Sequence, residues 1–405
     1  MKVQQTKNKL LGGIQILDLS DEKASFCTKL LADIGARVIK IERPGGDPSR
    51  KHRPFWGKAS HPENSLSFCY NNTNKLGITL NLEHDDGKLL FSRLVERTDI
   101  VVESFYPGDL EKLGLGFEVL KKINPALILV SITGFGQEGP RKGFKSSDLV
   151  ASAFGGQMYV TGISTAKPLK LYGQQPSLIA SLFGATGILL ALRKRRRSGK
   201  GEHIDISIQE AVTASLEHVM VRFFHENIIP ARQGNLHWNH LFHIFPCKDG
   251  FIQITLFEGW ETLVEWMDSE GMAENLKDEK WRDEQYRRKH IDHIIKVLGK
   301  WTKTHTNNEL FELGQLMRFS WAPVQTPEQI TGCPQLETRE FFVNIEHPEE
   351  GDILKYPWVP YKFRPPITTP YKRAPRIGED NVQIYNKELG VSKNKLNMLS
   401  ASGVI

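Results

Sequence analysis

Three histidines stand three residues apart in Leu236-His237-Trp238-Asn239-His240-Leu241-Phe242-His243. On a helix that spacing brings the rings toward one face, as a metal centre would require, whereas an extended segment scatters them. No acidic or cysteine residue adjoins them, so the expectation is packing or pocket lining and no bound metal. The four cysteines, Cys27, Cys69, Cys247 and Cys333, lie far apart without a Cys-x-x-Cys pair. That spacing argues against a zinc cluster and a disulfide framework, and leaves packed thiols as the expectation.

The densest charge is Arg193-Lys194-Arg195-Arg196-Arg197. Such a run suits a phosphate or a nucleic acid, but its neighbours favour a plainer reading. Leu178 to Leu192 is apolar and rich in helix formers, and Ser198-Gly199-Lys200-Gly201 follows, so the run supplies a positive last turn before a glycine stop. Nucleic-acid binding is not expected. With 405 residues, 40% hydrophobic and 25% charged, and a net charge of +6, the composition is that of a globular chain large enough for two or three domains. No run approaches the roughly 18 apolar residues of a membrane span. The start, Met1 to Gly13, is polar and without the apolar stretch of a secretory signal, so the expected location is the cytoplasm and no membrane contact is expected.

The elements that would position any site begin with an apolar, β-branched stretch, Ile14 to Leu19. A helical pattern from Phe26 to Gly35 leads to a second strand, Arg37 to Glu42, which is the strand, helix, strand order of a parallel sheet. Further strands are expected at Ile100–Glu103 and Leu127–Ser131. No Gly-x-Gly-x-x-Gly follows the first strand, because Gly12-Gly13 precedes it, so the α/β pattern does not imply a dinucleotide. From about Trp238 to His305 the sequence becomes rich in tryptophan, histidine and charge, with a strand at Phe251–Leu256 and helices around Glu261–Trp266 and His290–Trp301. The predicted division is a large-domain part over 1–225, a small domain over 226–325 and a return to the large domain over 326–405. Tyr356 to Pro375, dense in proline and aromatics, reads as an extended wrap, and Asn381 to Ile405 reads as helical.

Several ordered motifs resemble class III CoA-transferases of the formyl-CoA transferase and carnitine CoA-transferase type. They include Leu30-Leu31-Ala32-Asp33-Ile34-Gly35-Ala36-Arg37-Val38-Ile39-Lys40-Ile41-Glu42-Arg43-Pro44-Gly45-Gly46-Asp47, Asn74-Lys75 with Leu80-Asn81-Leu82, and Phe105-Tyr106-Pro107-Gly108 with Leu113-Gly114-Leu115-Gly116. Ser131-Ile132-Thr133-Gly134-Phe135-Gly136, Arg232-Gln233-Gly234-Asn235 and Ala374-Pro375-Arg376-Ile377-Gly378-Glu379 continue the match in order. The resemblance implies an α/β fold: a Rossmann-like large domain built from both chain ends, a smaller middle domain, and an interlocked, obligate dimer. It implies no permanently bound cofactor, with coenzyme A as a substrate. By the same resemblance Arg43 is the best phosphate ligand, with Leu80, Phe105 and Lys112 in supporting places.

The family's catalytic aspartate lies in a segment of the form Thr-Gly-x-x-Asp-Gly-Pro-Pro. Here Gly155 to Pro168 aligns with it, and Thr165 occupies the acid's position. In the family that carboxylate attacks an acyl-CoA to give a mixed anhydride, which the released CoA thiolate converts to an aspartyl thioester. The acceptor acid then reverses the sequence. A threonine hydroxyl would give an ester that thiolates and carboxylates reopen poorly. Other departures are Glu83 where lysine is common, Ser104 for asparagine, Ser177 for aspartate, and Asp21-Glu22-Lys23-Ala24-Ser25-Phe26 for a smaller Ala-Gly-Pro-like turn. Asp148, in Lys145-Ser146-Ser147-Asp148-Leu149, is the obvious displaced nucleophile, but reads as a helix N-cap or structural acid. No residue of this chain is therefore expected to be catalytic.

The expectation is a non-catalytic subunit partnered by a catalytic paralogue, acting on acyl-CoA and dicarboxylic acids. The Asp-Glu-Lys turn resembles the succinyl-CoA:benzylsuccinate CoA-transferase subgroup of anaerobic aromatic degradation, which implies succinyl-CoA and an aryl-substituted succinate. The alternatives are an active homodimeric CoA-transferase or acyl-CoA isomerase using a displaced acid, and a non-enzymatic CoA-binding scaffold.

Overall fold

A computed structural model describes residues 9–57, 61–237, 242–348, 351–366 and 371–405. The described chain forms two compact units. The larger comprises residues 1–158, 170–227 and 338–405, and the smaller residues 159–169 and 228–337. The sequence reading ended the middle domain at 325 and left 159–169 in the large domain; here residues 326–337 and 159–169 belong to the smaller unit.

The larger unit is organised by six parallel strands: β1 (Gln15–Leu19), β2 (Arg37–Glu42), β3 (Leu76–Thr79), β4 (Ile100–Glu103), β5 (Ile128–Thr133) and β6 (His203–Ser207). Their order is β3-β2-β1-β4-β5-β6. Successive side chains alternate between the two faces, and helices cover both, so the central strands read as unbroken apolar runs. One face carries Leu17, Ile39, Ile78, Val101 and Leu129, packed under Phe91 and the C-terminal residues Tyr385, Leu396 and Leu399. The other carries Ile16, Val38, Ile100, Val102 and Val130, packed on Leu31, Ala180 and Ile188. Each fully buried aliphatic side chain of this kind contributes on the order of 1.5–3 kcal/mol. The chain's two ends share this core: Tyr385 donates its hydroxyl to Thr79 O at 2.8 Å, and the Asp380 carboxylate accepts from Gly77 N at 2.7 Å. An antiparallel hairpin, β10 (Phe342–His347) and β11 (Asp352–Pro357), also lies in this unit.

The helix Gln175–Ser198 is 24 residues long and apolar enough to cross a membrane by length and composition, which scanning for an unbroken apolar run missed because Gly, Ser and Thr interrupt it. Half of that stretch is buried within the chain, through Ala180, Gly184, Ile188 and Leu192 at helical spacing. Its end follows the sequence reading, with the Gly199 amide closing on Arg195 O at 2.8 Å and Arg195 paired to Asp99 at 2.6 Å.

The smaller unit holds a three-stranded antiparallel sheet in the order β7 (Phe242–Pro246), β8 (Phe251–Thr255), β9 (Ala322–Pro323). The helices Trp260–Ser269 and Ile291–Thr302 pack around Trp301 and Trp321. Glu270 accepts from the Trp266 indole at 2.8 Å and the Trp301 indole at 2.7 Å, so the buried N–H groups are satisfied.

Of the three histidines, His240 lies outside the described residues. His243 is in β7, and the His237 amide pairs with Phe242 O at 3.0 Å. Among the described residues no three His, Cys, Asp or Glu side chains converge to hold a metal. Cys27 and Cys69 are buried, while Cys247 and Cys333 are only partly so.

Candidate functional site

In a sheet of this order the connections after β1 and β4 leave in opposite directions, opening a crevice at the strands' C-terminal ends. A cleft of about 470 Å³ lies there. Its lining comes from the residues that follow four strands: Asp21 after β1, Arg43 and Pro44 after β2, Leu80 to Glu83 after β3, and Ser104 and Phe105 after β4. Arg43, Leu80 and Phe105 are thus brought together. Lys112 does not line the cleft; it lies on the short helix Asp109–Lys112, is mostly exposed, and pairs with Asp109 at 2.8 Å.

The cleft floor is fixed by buried charge. Glu42 takes two bonds from the Arg50 guanidinium, at 2.6 and 2.7 Å, and Asp47 pairs with Lys40 at 3.1 Å. Beneath them Lys75 donates to Asp18 at 2.8 Å, Ser25 O at 2.9 Å and Asn72 Oδ1 at 2.8 Å, which satisfies all three ammonium protons. Burial alone would raise the Asp18 carboxyl, but Lys75 and Lys40 outweigh it and hold its pKa at about 2. Burial pulls Lys75 down to about 8 against the attraction of Asp18. With these acids compensated, Arg43 and Glu83 remain as exposed charges of opposite sign at the rim. Arg43 has no ion-pair partner among the described residues, so its guanidinium is available to an anion.

Asp148 is a structural acid, but not the helix cap the sequence suggested. Ser147 caps the helix Asp148–Phe154, its hydroxyl accepting from Val150 N at 3.3 Å. The Asp148 carboxylate instead pairs with Lys170 at 2.9 Å and accepts from the backbone amide and hydroxyl of Ser177, both at 3.3 Å. It therefore lies at the N-terminus of the helix Gln175–Ser198, where the backbone dipole favours an anion.

Thr165 lies on an exposed turn in which Ala166 N bonds Ile163 O at 3.2 Å. The sequence contains no aspartate or glutamate from residue 149 to residue 201, so no neighbour in the chain offers a substitute carboxylate on this segment. Sequence reasoning noticed Arg232 only as part of a motif. The structure shows its guanidinium donating to three carbonyls of the turn, contacts to backbone 66 to 73 residues away that residue types do not announce.

Residues 11–381 match the family model described as CoA-transferase family III. The chain is 32% identical to succinyl-CoA:(R)-benzylsuccinate CoA-transferase subunit BbsE of Thauera aromatica, over 91% of this chain and 92% of that protein. It is 33% identical to a succinyl-CoA:mesaconate CoA-transferase of Haloarcula hispanica, over 95% and 98%. Among solved structures, a CAIB/BAIF family protein from Brucella suis superposes with a TM-score of 0.86 at 28% identity, covering 94% of this chain and all of that one.

Proposed function

The chain belongs to CoA-transferase family III, in which CoA is a substrate, and from that premise we propose that it is the non-catalytic subunit of a heteromeric CoA-transferase. Thr165 carries the reading. It stands where the family's segment has its nucleophile, in a stretch of 53 residues, 149–201, without a carboxylate. The one acid just upstream, Asp148, is engaged with Lys170 and Ser177, which disfavours a displaced nucleophile. The partner would be a paralogue that carries the aspartate, giving one working nucleophile per dimer.

A covered surface for such a partner is supported by the helix Gln175–Ser198. Its outward face exposes Leu182, Phe183, Leu189 and Leu190, and the helix Val219–Glu226 adds Val221 and Phe224. Apolar surface on this scale favours association. The cleft at the sheet's edge, with Arg43, Leu80 and Phe105, is proposed as the position of a CoA, with Lys112 reaching it only by leaving Asp109. The likeness to BbsE supports succinyl-CoA and an aryl-substituted succinate as substrates; the location would be cytoplasmic.

The test is purification of the tagged chain from native extract, with mass identification of bound proteins and CoA-transfer assays on the complex and on the chain alone. A paralogue of similar size carrying the aspartate, with activity only in the complex, is the expected result. An active homodimer, or a complex without transferase activity, would overturn the reading.

A further inference from the structure

We infer that Arg232 is a positioning residue: it sets the shape of the turn that carries Thr165, independently of which residue stands at 165. Its Nη1 donates to Tyr159 O at 3.0 Å, Nε to Ile163 O at 3.2 Å and Nη2 to Ala166 O at 3.3 Å. These carbonyls bracket Thr165 on both sides, and a planar guanidinium presents Nε, Nη1 and Nη2 to all three in one fixed fork, a geometry that the compact point charge of an ammonium does not reproduce. The guanidinium carbon also lies 5.9 Å from the centre of the Tyr159 ring.

Backbone pairing on either side of Arg232 completes the clamp. Gly234 N bonds Gly162 O at 2.9 Å, and Leu169 N closes the base of the turn on Thr161 O at 3.1 Å. Both glycines are required. Gly162 has φ +113°, and at Gly234, with φ +63°, an added Cβ would come within 2.7 Å of Ile163 Cγ2. The segment 232–234 is thus fitted to the turn by three donors, one amide pair and a close approach, and none of these involves the Thr165 side chain. On the proposed function, the mounting of the nucleophile's position is present without the nucleophile.

Two readouts test this. The first uses the native sequence and amide hydrogen exchange at Leu169 and Gly234. Arg232→Lys and Arg232→Ala are each expected to speed exchange there by roughly tenfold or more, the cost of losing one or more net hydrogen bonds, while the sheet amides and the melting temperature hold. Unchanged exchange in both variants would overturn the inference, and so would general acceleration across the sheet, which would make Arg232 a global stability residue. The second rests on the proposed function and follows covalent adduct formation with succinyl-CoA by intact mass. Thr165→Asp is expected to form an adduct that Thr165→Asp/Arg232→Lys forms at least tenfold more slowly, with unchanged CoA affinity. Equal rates would overturn a positioning role in chemistry. Absence of any adduct on Thr165→Asp would mean that this chain lacks more than the carboxylate, and leaves the exchange result to decide the clamp.

Discussion

Asp21 and Ser104, 83 residues apart in the chain, are joined by a reciprocal pair of hydrogen bonds across the crevice between β1 and β4. The Asp21 amide donates to Ser104 Oγ at 2.9 Å, and the Ser104 hydroxyl donates to Asp21 Oδ1 at 2.8 Å. The sequence reading takes both positions as departures from the family it resembles, and in the structure the two side chains bond to each other. Asp21 also receives Lys23, so the turn after β1 is tied down by its own side chains where a smaller turn would need none.

Ser104→Ala therefore removes both bonds of the pair and is expected to cost on the order of 1–2 kcal/mol. Urea denaturation at pH 7 measures it. A variant as stable as the parent would mean that the pair forms without ordering the turn.

Glu83 supplies negative charge at the rim of the cleft opposite the role expected of Arg43. Replacing it by lysine reverses one exposed charge near the position proposed for a CoA phosphate, an effect of about 1 kcal/mol in well-solvated surroundings. Glu83→Lys should tighten CoA binding roughly fivefold at low salt and much less at high salt. Calorimetric titration with CoA at two salt concentrations reads this directly; equal affinity at low salt would place the phosphates elsewhere.

The Asp18–Lys75 pair has no such solvent to fall back on, since both side chains are fully buried. Asp18→Asn leaves the Lys75 ammonium without its carboxylate, and removing one partner of a buried pair costs roughly 3–5 kcal/mol. Asp18 also receives Thr28 at 2.6 Å and Ser20 at 2.6 Å, so the loss would loosen β1 from the helix Ser25–Asp33. A melting temperature within a degree or two of the parent would contradict this account.

Where a strand is buried on both faces, its residues had to be apolar, and β1, β2 and β4 were legible for that reason. β6 was missed because it lies at the sheet's edge: His203-Ile204-Asp205-Ile206-Ser207 alternates exposed and half-buried positions, and its charged residues look like loop. β3 was hidden by Gly77, which is needed because an added Cβ would meet the Pro375 ring at 2.6 Å, a neighbour about 300 residues away. The same limit applies to the site. Arg43, Leu80 and Phe105 could be named because each sits in a motif that carries the family resemblance. The failure of Lys112 to line the cleft depended on a local pairing with Asp109 and on the direction of a four-residue helix.

Glu103 makes a claim that pH can test. It ends β4 just before Ser104 and Phe105, accepts from Phe105 N at 2.7 Å, and bonds Ser131, whose hydroxyl contacts His203 at 2.9 Å. Burial is the largest influence on it and, despite the bonds from Ser131 and Phe105 and the more distant Lys23, raises its pKa from the ordinary 4.5 to about 7, with Glu111 pushing the same way. Between those values the folded chain keeps a proton that the unfolded chain has released. Stability from this group is therefore fully present below about pH 4.5 and is lost as pH rises toward 7, by at most on the order of 3 kcal/mol. His203, held below its ordinary 6.5 by burial, has the opposite sign, so the comparison must be made between variants. Glu103→Gln keeps an acceptor for Phe105 N but cannot ionise. Relative to the parent it should gain stability from pH 5 to about pH 7 and level off above that in urea denaturation, and a difference that does not change with pH would show that Glu103 titrates alike in the folded and unfolded chains.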